Sequence, residues 1–152
     1  MPHSYTKIYL HIVWATKNRE RVLVRDARCA IQQHILAYAE ENSILVLAMN
    51  VQDDHVHCLI DMKSNQQVDE IVKLFKGESS HWINERDLLP QKFSWQRGYG
   101  AFSVSPSHVE NVKRYIGNQD EHHRRRSFAE EYMSILKKYG FVGVETDESV
   151  AE

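Results

Sequence analysis

Residues Asp53-Asp54-His55-Val56-His57-Cys58-Leu59-Ile60-Asp61 form a short apolar run carrying two histidines one residue apart. Read as a β-strand, the period of two sends His55, His57 and Leu59 to one face and Val56, Cys58 and Ile60 to the other. Two imidazoles then stand side by side on one surface. Neutral imidazole is a good ligand for divalent metals, and a strand fixes the spacing of two such ligands without ordering a loop. The same pattern also fits two ordinary histidines in a half-buried strand, so the rest of the chain has to decide.

Working outward, Ser43 introduces Ile-Leu-Val-Leu-Ala-Met-Asn-Val, a continuous apolar run that predicts a strand buried on both faces. The turn Gln52-Asp53-Asp54 joins it so tightly to the histidine strand that the two must form an antiparallel hairpin. Before it, residues 5–16 are rich in β-branched and aromatic types and read as a first strand. A basic segment with Lys17, Arg19, Arg21, Arg25 and Arg28 follows, either solvated or in contact with phosphate. Asp26 is placed to cap a helix with Ala27, Ile31, Ile35 and Tyr38 on its inner face, and His34 falls off that stripe.

Beyond the hairpin, Ser64 or Asn65 is placed to cap a helix whose buried face is Val68, Ile71, Val72, Phe75, Ser79, Trp82 and Ile83. Lys76 lies on it as a surface charge or a phosphate contact. Trp95, Arg97 and Tyr99 combine flat rings with a guanidinium, which suits base stacking, although Trp95 plugging the core under a glycine loop fits equally well. Ala-Phe-Ser-Val-Ser then alternates as a strand. Ser107-His108-Val109-Glu110 has the spacing of a capping box, opening a helix with Val109, Val112 and Ile116 inside. Tyr115 and Gln119, four apart, share a neighbouring face of that helix, and Gly117 softens it. A second box, Ser127-Phe128-Ala129-Glu130, opens a last helix carrying Tyr132, Ile135, Leu136 and Tyr139 and ended by Gly140. Between the two boxes lies Glu-His-His-Arg-Arg-Arg, the densest basic cluster.

The order strand, helix, strand, strand, helix, strand, helix, helix predicts an α+β fold. An antiparallel sheet of ferredoxin-like or RNA-recognition-motif-like character packs against helices. With 152 residues the chain reads as one domain over 1–144, followed by an acidic, disordered tail over 145–152. A net charge of −2 gives no global field for nucleic acid, so such a partner has to be held by local basic patches. Cys29 and Cys58 read as core positions without a Cys-x-x-Cys spacing, which implies a reducing, cytoplasmic location. No run reaches membrane-spanning length.

Taken together, these pieces resemble the single-tyrosine HUH transposases of the insertion sequence 200/605 group. His55-Val56-His57 matches the family's paired histidines, and Tyr115-Ile116-Gly117-Asn118-Gln119 its nucleophile helix. Leu74 to Gly77, Trp95 to Ser105 and Gln119 to His123 also match, in the family's order. The resemblance implies that His55, His57 and Gln119 hold one Mg²⁺ or Mn²⁺ ion and that Tyr115 attacks the scissile phosphate. A 5′-phosphotyrosine intermediate follows, so strands are rejoined without ATP. It further implies a homodimer acting on single-stranded DNA with hairpin ends. The sequence leaves open whether Tyr115 meets the histidines of its own chain or of its partner. Basic residues placed for DNA contact are Arg19, Lys76, Arg97, Lys113, Arg114, Arg124 and Arg125.

Other readings differ in identifiable residues. A histidine-triad enzyme wants a third histidine where Leu59 stands. Rolling-circle initiators and relaxases share the paired histidines and a later tyrosine, but often carry lysine where Asn118 stands. A non-catalytic DNA-binding descendant would have no need of Tyr115.

Overall fold

Ile8–Ala15 (β1), Leu45–Val51 (β2), His55–Met62 (β3) and Gly100–Val104 (β4) form one antiparallel sheet in the order β2-β3-β1-β4. The helices are Arg25–Glu41 (α1), Val68–Glu85 (α2), Val109–Gly117 (α3), Gln119–His122 (α4) and Phe128–Lys138 (α5). This is the ferredoxin-like arrangement expected from the element order, seen in a computed structural model that describes residues 4–141. The acidic tail expected from Glu145 lies outside the described residues.

Strand alternation sorts the two faces. Ile12, Trp14, Val56, Cys58 and Ile60 point into the larger core, where α1 contributes Ile31 and Ile35 and α2 contributes Val72 and Phe75. The opposite face carries Val13, Ala15, Leu59 and Phe102, covered by Ile116 of α3 and Phe128 of α5. His55 and His57 are fully buried on this second face. At Gly100 a Cβ would come within 2.6 Å of the Tyr132 hydroxyl and 2.7 Å of the Phe102 ring, so α5 can seat on β4 only over glycine.

Several local expectations change. β2 is half-buried along most of its length, with Leu45 exposed, because it is the edge of the sheet, although Val46 and Met49 pack on the α1 side and Leu47 and Ala48 on the α3 side. A register shift between Val46 and Ala48 turns Leu47 and Ala48 together toward α3. Val24 and Gln67, not Asp26 and not Ser64 or Asn65, occupy the N-caps of α1 and α2, and Asp26 instead places its charge in the first turn. The box at Ser107 does not form, since Pro106–His108 makes a 3₁₀ turn and α3 starts at Val109. The box at Ser127 forms with both arms. Cys29 is exposed on α1, whereas Cys58 is buried.

Among the described residues no helix is long and apolar enough to cross a membrane. Trp95 takes the core role: its Nε1 donates to Ser79 Oγ at 2.9 Å, and its ring stands edge-on to Trp14 and Phe93.

Candidate active site

The two-residue turn at Asp53-Asp54 starts β3 at His55, and β1 lies alongside, pairing Val13 with His57 and Ala15 with His55. α3 crosses the same face and breaks at Asn118, so Gln119 opens the short α4 rather than continuing one helix. Three side chains hold this break against the hairpin. Asn50 Nδ2 donates to the carbonyl of Ile116 at 2.9 Å, and Gln52 Nε2 donates to Asn50 Oδ1 at 2.7 Å and Asp120 Oδ1 at 2.9 Å.

The structure brings His55, His57, Gln119 and Tyr115 of one chain together. His55 Nε2 lies 3.1 Å from Gln119 Oε1, and the rings of His57 and Tyr115 are 5.7 Å apart. Four further residues complete the group. Glu131 of α5 is buried and puts Oε1 3.1 Å from His57 Nε2, while Gln119 Nε2 donates to its Oε2 at 3.0 Å. The Tyr115 hydroxyl donates to that same Oε2. His123 Nε2 lies 2.9 Å from Gln119 Oε1 and 3.1 Å from Glu131 Oε1. Behind the ligands, Asp54 Oδ1 is 2.6 Å from His55 Nδ1, and His11 Nε2 is 2.8 Å from His57 Nδ1.

The donor chemistry of this cluster asks for a cation. Asp54 only accepts, so Nδ1 of His55 carries the hydrogen, and in a neutral ring Nε2 is a lone pair facing the oxygen of Gln119. His123 Nδ1 lies 3.0 Å from the carbonyl of Arg126 and donates to it, so Nε2 faces Gln119 and Glu131, as a donor to Glu131 while the ring is protonated and as a lone pair where a bound cation would take that proton's place. Lone pairs meeting lone pairs repel unless a positive charge sits between them. Ligand atoms of His55, His57 and Glu131 all lie within 4.8 Å of one another, a spacing one ion can bridge. The residues present therefore fit a divalent metal.

Titration follows from the same contacts. Burial pushes His11 down to about 3 and His57 down to about 4, so both stay neutral. Burial works against ionised Glu131, but the hydrogen bonds from His123 and His57 outweigh it and hold the carboxyl well below its usual range. His123 is likewise opposed by burial, yet the bond to Glu131 raises it overall. Burial, then the bond and charge of Glu131, push the Tyr115 phenol above its ordinary value.

The remaining sequence candidates lie elsewhere. Lys76 Nζ is half-buried and donates to the carbonyls of Gln96 at 2.6 Å and Gly98 at 2.9 Å, pinning the loop before β4. The Arg19 guanidinium lies over the Phe128 ring at 5.0 Å and clamps α5. Arg97, Arg114, Arg124 and Arg125 are exposed, and Lys113 is half-buried with Glu110 3.7 Å away.

Glu131, His123, Asp54 and His11 are the residues that sequence reasoning missed. Glu131 had a signal: with Phe128 and Ile135 it sits at spacings of three and four, a carboxylate on the apolar side of its helix. His123 follows Gln119 by one helical turn. His11 lies in the apolar β1 and carried no signal of its own.

Comparison with known proteins adds to this geometry. The ISDra2 transposase TnpA of Deinococcus radiodurans is 27% identical over 116 residues, spanning 73% of this chain and 83% of that protein. A crystal structure of a candidate transposase from Deinococcus radiodurans R1 superposes with a TM-score of 0.64 at 27% identity, covering 78% of this chain and 95% of the other. A REP-associated tyrosine transposase bound to a REP hairpin shares the fold, with a TM-score of 0.59 at 14% identity, 93% of this chain and 74% of the other. The family described as "Transposase IS200 like" matches residues 4–119, which reach from the start of the described fold to Gln119. With its paired buried histidines and the tyrosine helix laid across them, this chain belongs to the IS200-like transposase family.

Proposed function

We propose that this protein cuts and rejoins single-stranded DNA at the ends of a mobile element, through a covalent link between Tyr115 and the 5′ phosphate. The observation that carries the reading is the placement of Tyr115. Its hydroxyl is bonded to Glu131, and that carboxylate also touches His57, so nucleophile and cation-binding donors share one contact. Mg²⁺ or Mn²⁺ held by His55, His57, Gln119 and Glu131 would neutralise charge on a non-bridging phosphate oxygen, with the imidazoles favouring Mn²⁺.

The chain's own residues do the rest. Asp54 and His11 hold the ligand rings in place. The bond to Glu131 aims the Tyr115 Oη and holds its proton until substrate and cation offset the carboxylate's charge. In the step itself a bond forms between Tyr115 Oη and phosphorus and the bond from phosphorus to O3′ breaks. The phenolic proton is lost to solvent, and the departing O3′ gains one. Reversal by a different 3′ hydroxyl joins strands and regenerates Tyr115.

Exposed Arg97, Arg114, Arg124 and Arg125, with Lys113, are the proposed phosphate contacts. Arg19 and Lys76 support DNA binding by fixing α5 and the loop before β4. We read the chain through α5 as one catalytic domain, working as a homodimer on hairpin-ended single strands. Contact between Tyr115 and His57 of the same chain supports each copy's tyrosine serving its own metal site.

The test is an SDS-resistant adduct between purified protein and single-stranded DNA from the ends of its own element, with Mn²⁺ or Mg²⁺. Adduct is expected with wild type and lost in Tyr115→Phe and in chelator. Undiminished adduct in Tyr115→Phe would remove the nucleophile assignment.

A further inference from the structure

A cavity of about 700 Å³ opens between β4, α3 and α5, and its inner end is formed by Tyr115, His11 and Glu131. Its floor is apolar, with Val104, Val112 and Ile135. Its mouth is cationic. Lys138 and Arg126 are both exposed there, and the Arg126 guanidinium is fixed by the carbonyl of Glu130 at 2.9 Å and Ser134 Oγ at 2.5 Å. The Tyr139 hydroxyl donates to the carbonyl of Ser103 at 2.9 Å, tying the end of α5 to β4 and closing one side. An apolar floor, a few fixed polar groups and a volume inside the range of about 300–1,000 Å³ describe a ligand site rather than a packing fault.

The reaction geometry says which part of a strand belongs there. In an in-line displacement the departing O3′ lies opposite the attacking Tyr115 Oη, across the phosphorus. That half of the substrate therefore points away from the tyrosine. The O5′ stays on phosphorus at roughly a right angle to that line, so the nucleoside it carries runs alongside the tyrosine ring, where the cavity lies.

We propose that this cavity binds the deoxynucleoside on the 5′-linked side of the scissile phosphate, the one that stays attached to Tyr115 after cleavage. The inference rests on the nucleophile assignment above. The base lies against Val112 and Ile135, and the next phosphate reaches Arg126 and Lys138, whose charges complement it. Holding this nucleoside keeps the covalent strand in place while the freed 3′ end departs and another arrives.

The test uses deoxynucleoside 5′- and 3′-monophosphates, with Mg²⁺ present, and follows their base protons by saturation-transfer NMR on the full chain. The 5′ isomers are expected to bind at least about tenfold more tightly than the 3′ isomers. Val112→Trp, which fills the floor, should weaken the 5′ isomers by about tenfold or more. Lys138→Ala, an exposed change that leaves the core alone, should weaken deoxynucleoside 3′,5′-bisphosphates, which carry the second phosphate, by about threefold while leaving the 5′-monophosphates unchanged. Equal binding of the two isomers, 5′-isomer binding unchanged in Val112→Trp, or bisphosphate binding unchanged in Lys138→Ala overturns the proposal. Tyr115-dependent adduct together with such indifferent nucleotide binding rejects the cavity assignment alone. Variant-sensitive binding of the 5′ isomers without any Tyr115-dependent adduct supports the cavity as a nucleotide site and rejects the nucleophile assignment.

Discussion

The hydroxyl of Tyr115 donates to Glu131, sixteen residues further along the chain, and the same carboxylate lies 3.1 Å from His57. A residue of α5 thus joins the two halves of the site, the histidines of β3 and the tyrosine of α3. Glu131→Gln keeps the shape and removes the charge. It should lower Mn²⁺ affinity by about 10- to 100-fold, read by calorimetric titration or by the electron paramagnetic resonance signal of free Mn²⁺. Unchanged affinity would show that the carboxylate holds the tyrosine alone.

Asp54 acts one step further out. Its carboxylate fixes the His55 tautomer and makes the ring a stronger ligand. Asp54→Asn should weaken Mn²⁺ binding by about tenfold while leaving thermal stability close to wild type, and Asp54→Ala should weaken it further. Wild-type affinity in both variants would make the contact purely structural.

Acid should destabilise the metal-free protein well before its carboxylates titrate. His11 and His57 are neutral in the fold, at about 3 and about 4, against about 6.5 in an unfolded chain. As pH falls below 6.5 the unfolded chain takes up these protons and the folded one does not, so stability is lost. Between pH 7 and pH 5 each ring should remove about 2 kcal/mol, with His123, whose shift runs upward, returning part of it. Glu131, held low, loses its contribution only below its unfolded value near 4.5, outside this window. Urea midpoints at pH 7 and pH 5 read the slope, and a flat profile would contradict neutral burial.

Arg124 and Arg125 are exposed and lie 3.4 and 3.9 Å from Glu121. As phosphate contacts, each Arg→Ala change should weaken single-stranded DNA binding and lower the slope of log K against log salt by about 0.7. Lys76→Met should instead cost about 1–2 kcal/mol of stability by freeing the Gln96 and Gly98 carbonyls, with the salt slope nearly unchanged. Equal slopes in all three variants would remove the distinction.

The α+β class, the hairpin and the side-by-side placement of His55 and His57 were legible because local patterns carry them, period two in β3 and a short turn before it, whereas Tyr115 and Gln119 were singled out through the family resemblance. Glu131 was not legible, because its part depends on α5 folding back over β4 at Gly100, a contact between segments far apart in sequence, and His123 was not, because it depends on the break at Asn118 that turns α4 toward His55. Helix starts were misread at Asp26, Ser64 and Ser107 for a related reason. Packing chose the start of each helix: Asp26 fell inside the first turn of α1, while Ser64 and Asn65 stayed in the turn before α2 and Ser107 in the 3₁₀ turn before α3.

Asn50 and Gln52, on the strand and turn leading into His55, grip the chain on both sides of Asn118. A single hairpin therefore acts as the jig for the site, presenting His55 and His57 from one strand and clamping the helix of Tyr115 with the other. Loops elsewhere can lengthen or shorten without disturbing that alignment.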